Sequence, residues 1–200
     1  MLHIVDQFLP EQDIQALKEL CEIHGELRQR LDDTNLFSWV PMAQDSPPAR
    51  SPHSAEHQAL MATYLDRALG PLMQRFAPNA VGVEWWCNTN NDLDWHIDKD
   101  EALAVESGQY KLPMLSTVFY PHSRCAGGEL LIADSQPAQA GSRVGLPPFR
   151  SVISVPPIVN RLVIFSAGVL HRINPFEGER YSLAVNVWGQ ALSQDGGPSA

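Results

Sequence analysis

From Ala80 to Trp188 the chain carries runs that alternate apolar and polar residues with a period of two, and no helical stretch is read between these runs. The clearest run is Arg180–Trp188. There Tyr181, Leu183, Val185 and Val187 share one face, and Arg180, Ser182, Ala184 and Asn186 share the other. Successive side chains of an extended strand point to opposite sides, so the first set reads as core and the second must look into something wet or ionic. Val81, Val83, Trp85 and Cys87 likewise oppose Glu84, Trp86 and Asn88. Further strands are expected at Pro113–Tyr120, at Glu129–Asp134 behind the Gly127-Gly128 turn, at Asn160–Phe165 and at Gly168–Ile173. A parallel sheet needs crossover helices between its strands, and this region offers none.

The polar faces carry a pattern with chemical meaning. In Trp95-His96-Ile97-Asp98, an extended backbone turns His96 and Asp98 to the same side. His171 can join them if the two strands meet in space. Two imidazoles and one carboxylate on one face of an ion, with the opposite face open, is the ligand set of non-haem Fe(II) oxygenases. A lone His-x-Asp is common on surfaces, so the motif gains weight from the residues beyond His171. Nine residues later comes Arg180, after the turn-rich Asn174-Pro175-Phe176-Glu177-Gly178-Glu179, which places His171 and Arg180 on neighbouring hairpin strands. A lone arginine at a strand start is ordinarily a surface residue. Beside a metal triad, with Ser182 on the same face, its planar and permanently charged fork suits a carboxylate.

Taken together, His96-Ile97-Asp98, Thr117-Val118-Phe119-Tyr120, Gly127-Gly128-Glu129-Leu130, Asn160–Phe165, His171 and Arg180-x-Ser182 resemble, in that order, the 2-oxoglutarate-dependent Fe(II) dioxygenases, particularly the prolyl-hydroxylase-like branch. The resemblance spans roughly residues 81–189. It implies that His96, Asp98 and His171 bind Fe(II), and that Arg180, aided by Ser182, binds the far carboxylate of 2-oxoglutarate. Tyr120 falls where relatives place a tyrosine on that carboxylate, although a one-residue register slip turns Phe119 inward instead. Trp86 and Asn88 either border the cofactor or are a packed Trp and a turn-capping Asn. The implied reaction consumes O2 and 2-oxoglutarate, with ascorbate as an auxiliary reductant, and hydroxylates a C–H bond with release of succinate and CO2. Relatives act on prolyl residues of proteins, on free amino acids and on natural products, and these residues do not choose among them. Asp98 itself argues for hydroxylation, because related halogenases replace that carboxylate by a small residue to admit halide. A cupin-like zinc or manganese enzyme, or a 2-oxoglutarate sensor without turnover, could use the same triad, and Zn(II) outranks Fe(II) in intrinsic affinity.

Roughly eight strands behind N-terminal helices suggest a mainly β fold, a double-stranded β-helix of the jelly-roll, cupin-like kind. Two hundred residues suit a single domain over 1–190, with 1–78 as helical support, 79–190 as the jelly-roll core and 191–200 as a disordered tail. Leu2–Val5 reads as a short strand. A helix over 11–31 carries Ile14, Leu17, Leu20, Cys21 and Leu27 at helical spacing, with His24 packed beside them. Leu36–Val40 reads as a strand and the four-proline stretch 41–54 as a loop. Ser54 caps a second helix through Phe76, kinked at Gly70-Pro71, with Leu60, Met61, Tyr64, Leu65, Ala68, Leu72 and Phe76 inward. His53 and His57 read as solvated, Thr89–Asp92 as a turn, and Lys99-Asp100-Glu101 as a solvated charge cluster. Residues 102–112 read as irregular and Pro121–Ala126 as a turn with His122 in a loop. Ser135–Arg150 is a long aperiodic loop of the kind that is commonly functional.

A formal charge of −9 and a pI near 5.1, with no basic stripe, argue against a nucleic-acid backbone as the main partner. The expected partner is a small-molecule or protein substrate. Cys21, Cys87 and Cys125 are odd in number and lack ligand spacing, which fits a reducing compartment rather than a disulfide framework. With no signal peptide and no apolar run long enough to span a bilayer, the sequence reads as cytoplasmic.

Overall fold

The computed structural model describes residues 1–28, 37–44, 46–89 and 94–193. The expected Thr89–Asp92 turn and the end of the first helix therefore lie largely outside the described residues, as do Leu36 and the side chains of His24 and Leu27. Among the described residues, nine strands form two antiparallel sheets: β1 (Leu2–Asp6), β2 (Ser38–Pro41), β3 (Gly82–Asn88), β4 (Leu115–Gly127), β5 (Leu130–Ala133), β6 (Val152–Val155), β7 (Arg161–Ser166), β8 (His171–Ile173) and β9 (Phe176–Trp188). The large sheet has the order β1-β7-β4-β9-β3-β2 and the small one β6-β5-β8. A bridge between His96 and His171 adds the metal-motif segment to the edge of the small sheet. From β3 onward the chain passes back and forth between two facing sheets, with β5 and β6 taken together in the small one, which is the double-stranded β-helix.

The alternation read from the sequence decides which side chains lie between the sheets. Outward residues Val83, Trp85, Cys87, Leu115, Phe119, Leu183, Val185 and Val187 join one core cluster with the helices. Inward residues Tyr120, Val163, Phe165 and Phe176 meet Leu130, Ile132, Val155 and Ile173 of the small sheet in a second cluster. Phe119 is therefore the outward residue and Tyr120 the inward one.

The helical layer is α1 (Glu11–Arg28), then α2 (Ala55–Thr63), a π-helical segment Tyr64–Leu69, and α3 (Gly70–Phe76). The Ser54 side chain accepts the His57 N–H and so starts α2. Instead of a simple kink at Gly70-Pro71, the turn before Pro71 widens, because Pro71 has no N–H to donate and its ring crowds the carbonyl four residues back. The wide turn inserts one residue into the period. Beyond it the buried stripe moves from the expected Ala68, Leu72 and Phe76, which are half-buried, to Leu69, Met73 and Ala77. Among the described residues no helix is long and apolar enough to cross a membrane.

The structure departs from the sequence pattern at several places. Residues 102–112 are not irregular throughout: α4 (Glu101–Ser107) forms there, capped by the Asp100 side chain on the Leu103 N–H and ended by left-handed Gly108. Asp100 is accordingly buried, bound also by the Ser193 N–H and paired with Lys111 at 3.4 Å, and is not part of a solvated cluster. β4 continues through the expected Pro121–Ala126 turn by means of a bulge between Phe119 and His122, so His122 lies in a strand, paired with Tyr181 and 3.1 Å from Glu179. β6 has no counterpart in the sequence pattern, because Val152-Ile153-Ser154-Val155 alternates no polarity on an exposed edge. His53 is buried and stacked on Trp85 at 4.8 Å, not solvated. The tail does not begin at residue 191, since Leu192 packs with Trp39 and Trp188. His171 and Arg180 are not on paired hairpin strands: β8 pairs with β5, whereas β9 pairs with β4 and β3. The chain crosses from one sheet to the other at Asn174-Pro175.

Candidate metal centre

His96, Asp98 and His171 converge between the sheets, with one donor atom from each lying within 4.8 Å of the others. Asp98 Oδ1 is 3.9 Å from His96 Nε2 and 3.8 Å from His171 Nε2. His96 Nδ1 is 2.6 Å from the Asp94 carbonyl and His171 Nδ1 is 2.8 Å from the Val169 carbonyl. A carbonyl can only accept, so both Nδ1 atoms carry a proton and both rings turn Nε2, the atom that would meet a metal, towards Asp98. Burial holds His171 neutral, with its pKa lowered to about 4 despite the opposing pull of Asp98. Burial would raise the Asp98 pKa, but the two histidines, the Ser116 hydrogen bond and the nearby Asn186 amide outweigh it, so the carboxyl is held ionised. Two imidazoles presented through Nε2 and one carboxylate are the donor set that suits a divalent ion such as Fe(II).

The triad lines an open pocket, about 450 Å³ of free space when the solvent at its mouth is included. Trp86 and Asn88 of β3 line it, with Thr117 and Val118 of β4, Phe165 of β7, and Ser182, Ala184 and Asn186 of β9. Arg180 is fully buried. Its Nε donates to the Gly128 carbonyl at 2.9 Å and its Nη1 to Ser182 Oγ at 3.2 Å. Gly128 makes that approach possible: its φ is +78°, and a Cβ there would lie 2.8 Å from Arg180 Cδ. The Arg180 guanidinium carbon stands 5.0 Å from the Tyr120 ring. Arg180 Nη2 and Tyr120 Oη are both buried without a hydrogen-bond partner, and burial raises the Tyr120 pKa although Arg180 opposes it. A guanidinium fork and a phenol left unsatisfied in a dry site fit a bound carboxylate, so the residues present fit 2-oxoglutarate as well as the metal.

The structure thus brings the three predicted ligands together and sets Ser182, Trp86 and Asn88 on the cavity wall. Sequence reasoning misses Ser116 as the hydrogen-bond partner of Asp98 and Asn186 as its neighbour. The alternation of β4 already puts Ser116 on the Tyr120 face, but a buried serine carries no signal of its partner.

The model of the 2OG-Fe(II) oxygenase superfamily matches residues 84–188. No curated protein matches the chain in sequence. Among solved structures the chain is similar to a Pseudomonas putida prolyl-4-hydroxylase, at 18% identity and a TM-score of 0.58, over 94% of this chain and 86% of that one. It is similar also to a prolyl 4-hydroxylase from Phytophthora capsici, at 16% identity and a TM-score of 0.57, over 94% of this chain but only 58% of that one. A prolyl hydroxylase from Trichoplax adhaerens, in complex with a hypoxia inducible factor oxygen degradation domain peptide fragment, matches at 14% identity and a TM-score of 0.52, over 97% and 84% of the two chains. Identities this low speak for the fold. The family model covers just over half of the sequence and encloses the whole His-Asp-His centre, and on that ground the chain belongs to the 2OG-Fe(II) oxygenase superfamily, oxidoreductases that use Fe(II), 2-oxoglutarate and O2.

Proposed function

We propose that the protein hydroxylates a C–H bond in a prolyl-type protein side chain or in an amino-acid-like small molecule. The observation that carries this reading is the buried Arg180 fork, with Nη2 and the Tyr120 hydroxyl unsatisfied next to the wall that holds the triad. In this reading His96, Asp98 and His171 bind the metal. Arg180, held by Gly128 and Ser182, takes the far carboxylate of 2-oxoglutarate with Tyr120, and Trp86 and Asn88 border the substrate side. When bound, iron with 2-oxoglutarate and O2 supplies the oxidant for hydroxylation, and succinate and CO2 are released. The protein orients both molecules and excludes water. Asp98 keeps a carboxylate where halide would otherwise bind, which favours hydroxylation over chlorination. The prolyl class is supported by the fold shared with prolyl hydroxylases, one of them in complex with a peptide. Free buried Cys21 and Cys87 support a cytoplasmic, reducing location.

The test is succinate formation from 2-oxoglutarate with Fe(II). It should be lost in His96→Ala and His171→Ala, and full activity in either folded variant overturns the assignment. Candidate proline-containing peptides and amino acids are then screened under labelled dioxygen in chloride buffer. A gain of one labelled oxygen is expected, and a chlorinated product contradicts the reading.

A further inference from the structure

We infer that Ser116 and Asn186 are the positioning pair of the metal centre: Ser116 holds one oxygen of Asp98, the Asn186 amide flanks the carboxylate, and the other oxygen is left for the ion. The inference rests on the reading of His96, Asp98 and His171 as ligands. Ser116 on β4 and Asn186 on β9 are direct cross-strand partners at the centre of the large sheet. Both are buried, at 2% and 3% exposure, and both face inward. Ser116 Oγ donates to Asp98 Oδ2 at 2.6 Å, and the Asn186 side chain, on the wall of the same cavity, lies near enough to favour the ionised form of that carboxylate.

The backbone around Asp98 is anchored by the bridge at His96, by Ile97 in a small core cluster and by buried Asp100. These contacts leave the rotation of the Asp98 carboxylate open, and residues 97–100 belong to no ladder. A carboxylate on such a segment is free to turn about its terminal bond and to offer an ion one oxygen or two. The Ser116 hydroxyl removes that freedom, with the Asn186 amide beside it. With Oδ2 engaged, Oδ1 is left nearly equidistant from the two Nε2 atoms, at 3.9 and 3.8 Å. The large sheet thereby supplies the orientation that the small sheet lacks. Outer-shell partners of this kind typically change metal affinity by about 10–100-fold when removed.

The experiment is titration of the metal-free protein with Mn(II), following free Mn(II) by electron paramagnetic resonance, with the visible spectrum of the Co(II) form as a second readout. The double variant Ser116→Ala/Asn186→Ala is expected to weaken Mn(II) binding about 10–100-fold and to alter the Co(II) bands as the carboxylate turns. Ser116→Ala alone should weaken binding about fivefold or more, and Ser116→Thr, which keeps the hydroxyl, should stay close to wild type. If the double variant does not fold, the Ala and Thr pair at position 116 decides. Equal affinity in wild type and Ser116→Ala, with unchanged Co(II) bands, overturns the inference. His171→Ala separates the two readings. If it binds Mn(II) like wild type, the ligand set itself is wrong and this inference falls with it. If it loses Mn(II) while the positioning variants keep it, only the positioning pair is wrong.

Discussion

At the scale of single residues, Arg180 carries the sharpest expectation. Its guanidinium is desolvated, already held at two nitrogens, and left with a third for ligand. Breaking a buried charge-assisted pair costs about 3 kcal/mol or more, in part because the partner is left unpaired. At about 1.4 kcal/mol per decade, Arg180→Ala should weaken 2-oxoglutarate binding about 100-fold or more, measured by calorimetry with Mn(II) in place of iron. Arg180→Lys should restore only part, since the ammonium cannot bond Gly128, Ser182 and a carboxylate in one plane. A loss below about threefold in the Ala variant would mean that the carboxylate sits elsewhere. Gly128→Ala gives an independent check, because its Cβ would displace Arg180 Cδ without altering any group that bonds ligand. It should also weaken 2-oxoglutarate binding.

At the scale of elements, the π-helical segment yields a prediction that the sequence pattern alone gets backwards. A stripe of uniform period 3.6 makes Leu72 a core residue and says little of Leu69. The inserted residue buries Leu69 completely and leaves Leu72 at the margin. Leu69→Ala should therefore cost about 2–5 kcal/mol in urea unfolding and Leu72→Ala clearly less. Comparable losses would mean that the register does not shift. The strands facing the cavity are legible in the sequence because one side touches helices and the other a polar site, which imposes a clean alternation on β3 and β9. β6 is not, since neither of its faces obeys that rule. The bulge in β4 is hidden for another reason. Pro121 is a turn residue in most contexts, and only the pairing of His122 with Tyr181 shows that the strand goes on. His171 and Arg180 read as one hairpin because a short, turn-rich link usually makes one, and a change of sheet across Asn174-Pro175 leaves the same local pattern.

At the scale of the whole molecule, pH acts on the fold through His53. Burial against Trp85 lowers its pKa from 6.5 to about 4, with neighbouring His57 adding to the effect. Between those values the unfolded chain binds the proton and the folded one does not, so this contribution is complete above about pH 6.5 and is lost as pH falls through about 4. It amounts to about 1–3 kcal/mol. The urea midpoint should fall from pH 7 to pH 5, and by less in His53→Phe, which keeps the stack but cannot titrate. An equal fall in both proteins would place the titrating group elsewhere. The triad is readable because its spacing is local in one half and the remaining ligand is a histidine in an alternating run. The support of Asp98 by two residues from distant strands depends on a register that no local pattern records.

The two imidazoles belong to the small sheet and its bridged edge, whereas the carboxylate is tied to the large one. An ion held by all three is a rivet through the sandwich, and it closes a chain loop of more than seventy residues between Asp98 and His171. Such a clip favours the folded state more as the loop it closes grows longer. Opening of the sandwich and release of the ion then become one equilibrium seen from two sides. A wedge at a residue that binds no ligand itself, such as Val163→Trp in the apolar layer between the sheets, should register first as a looser grip on metal.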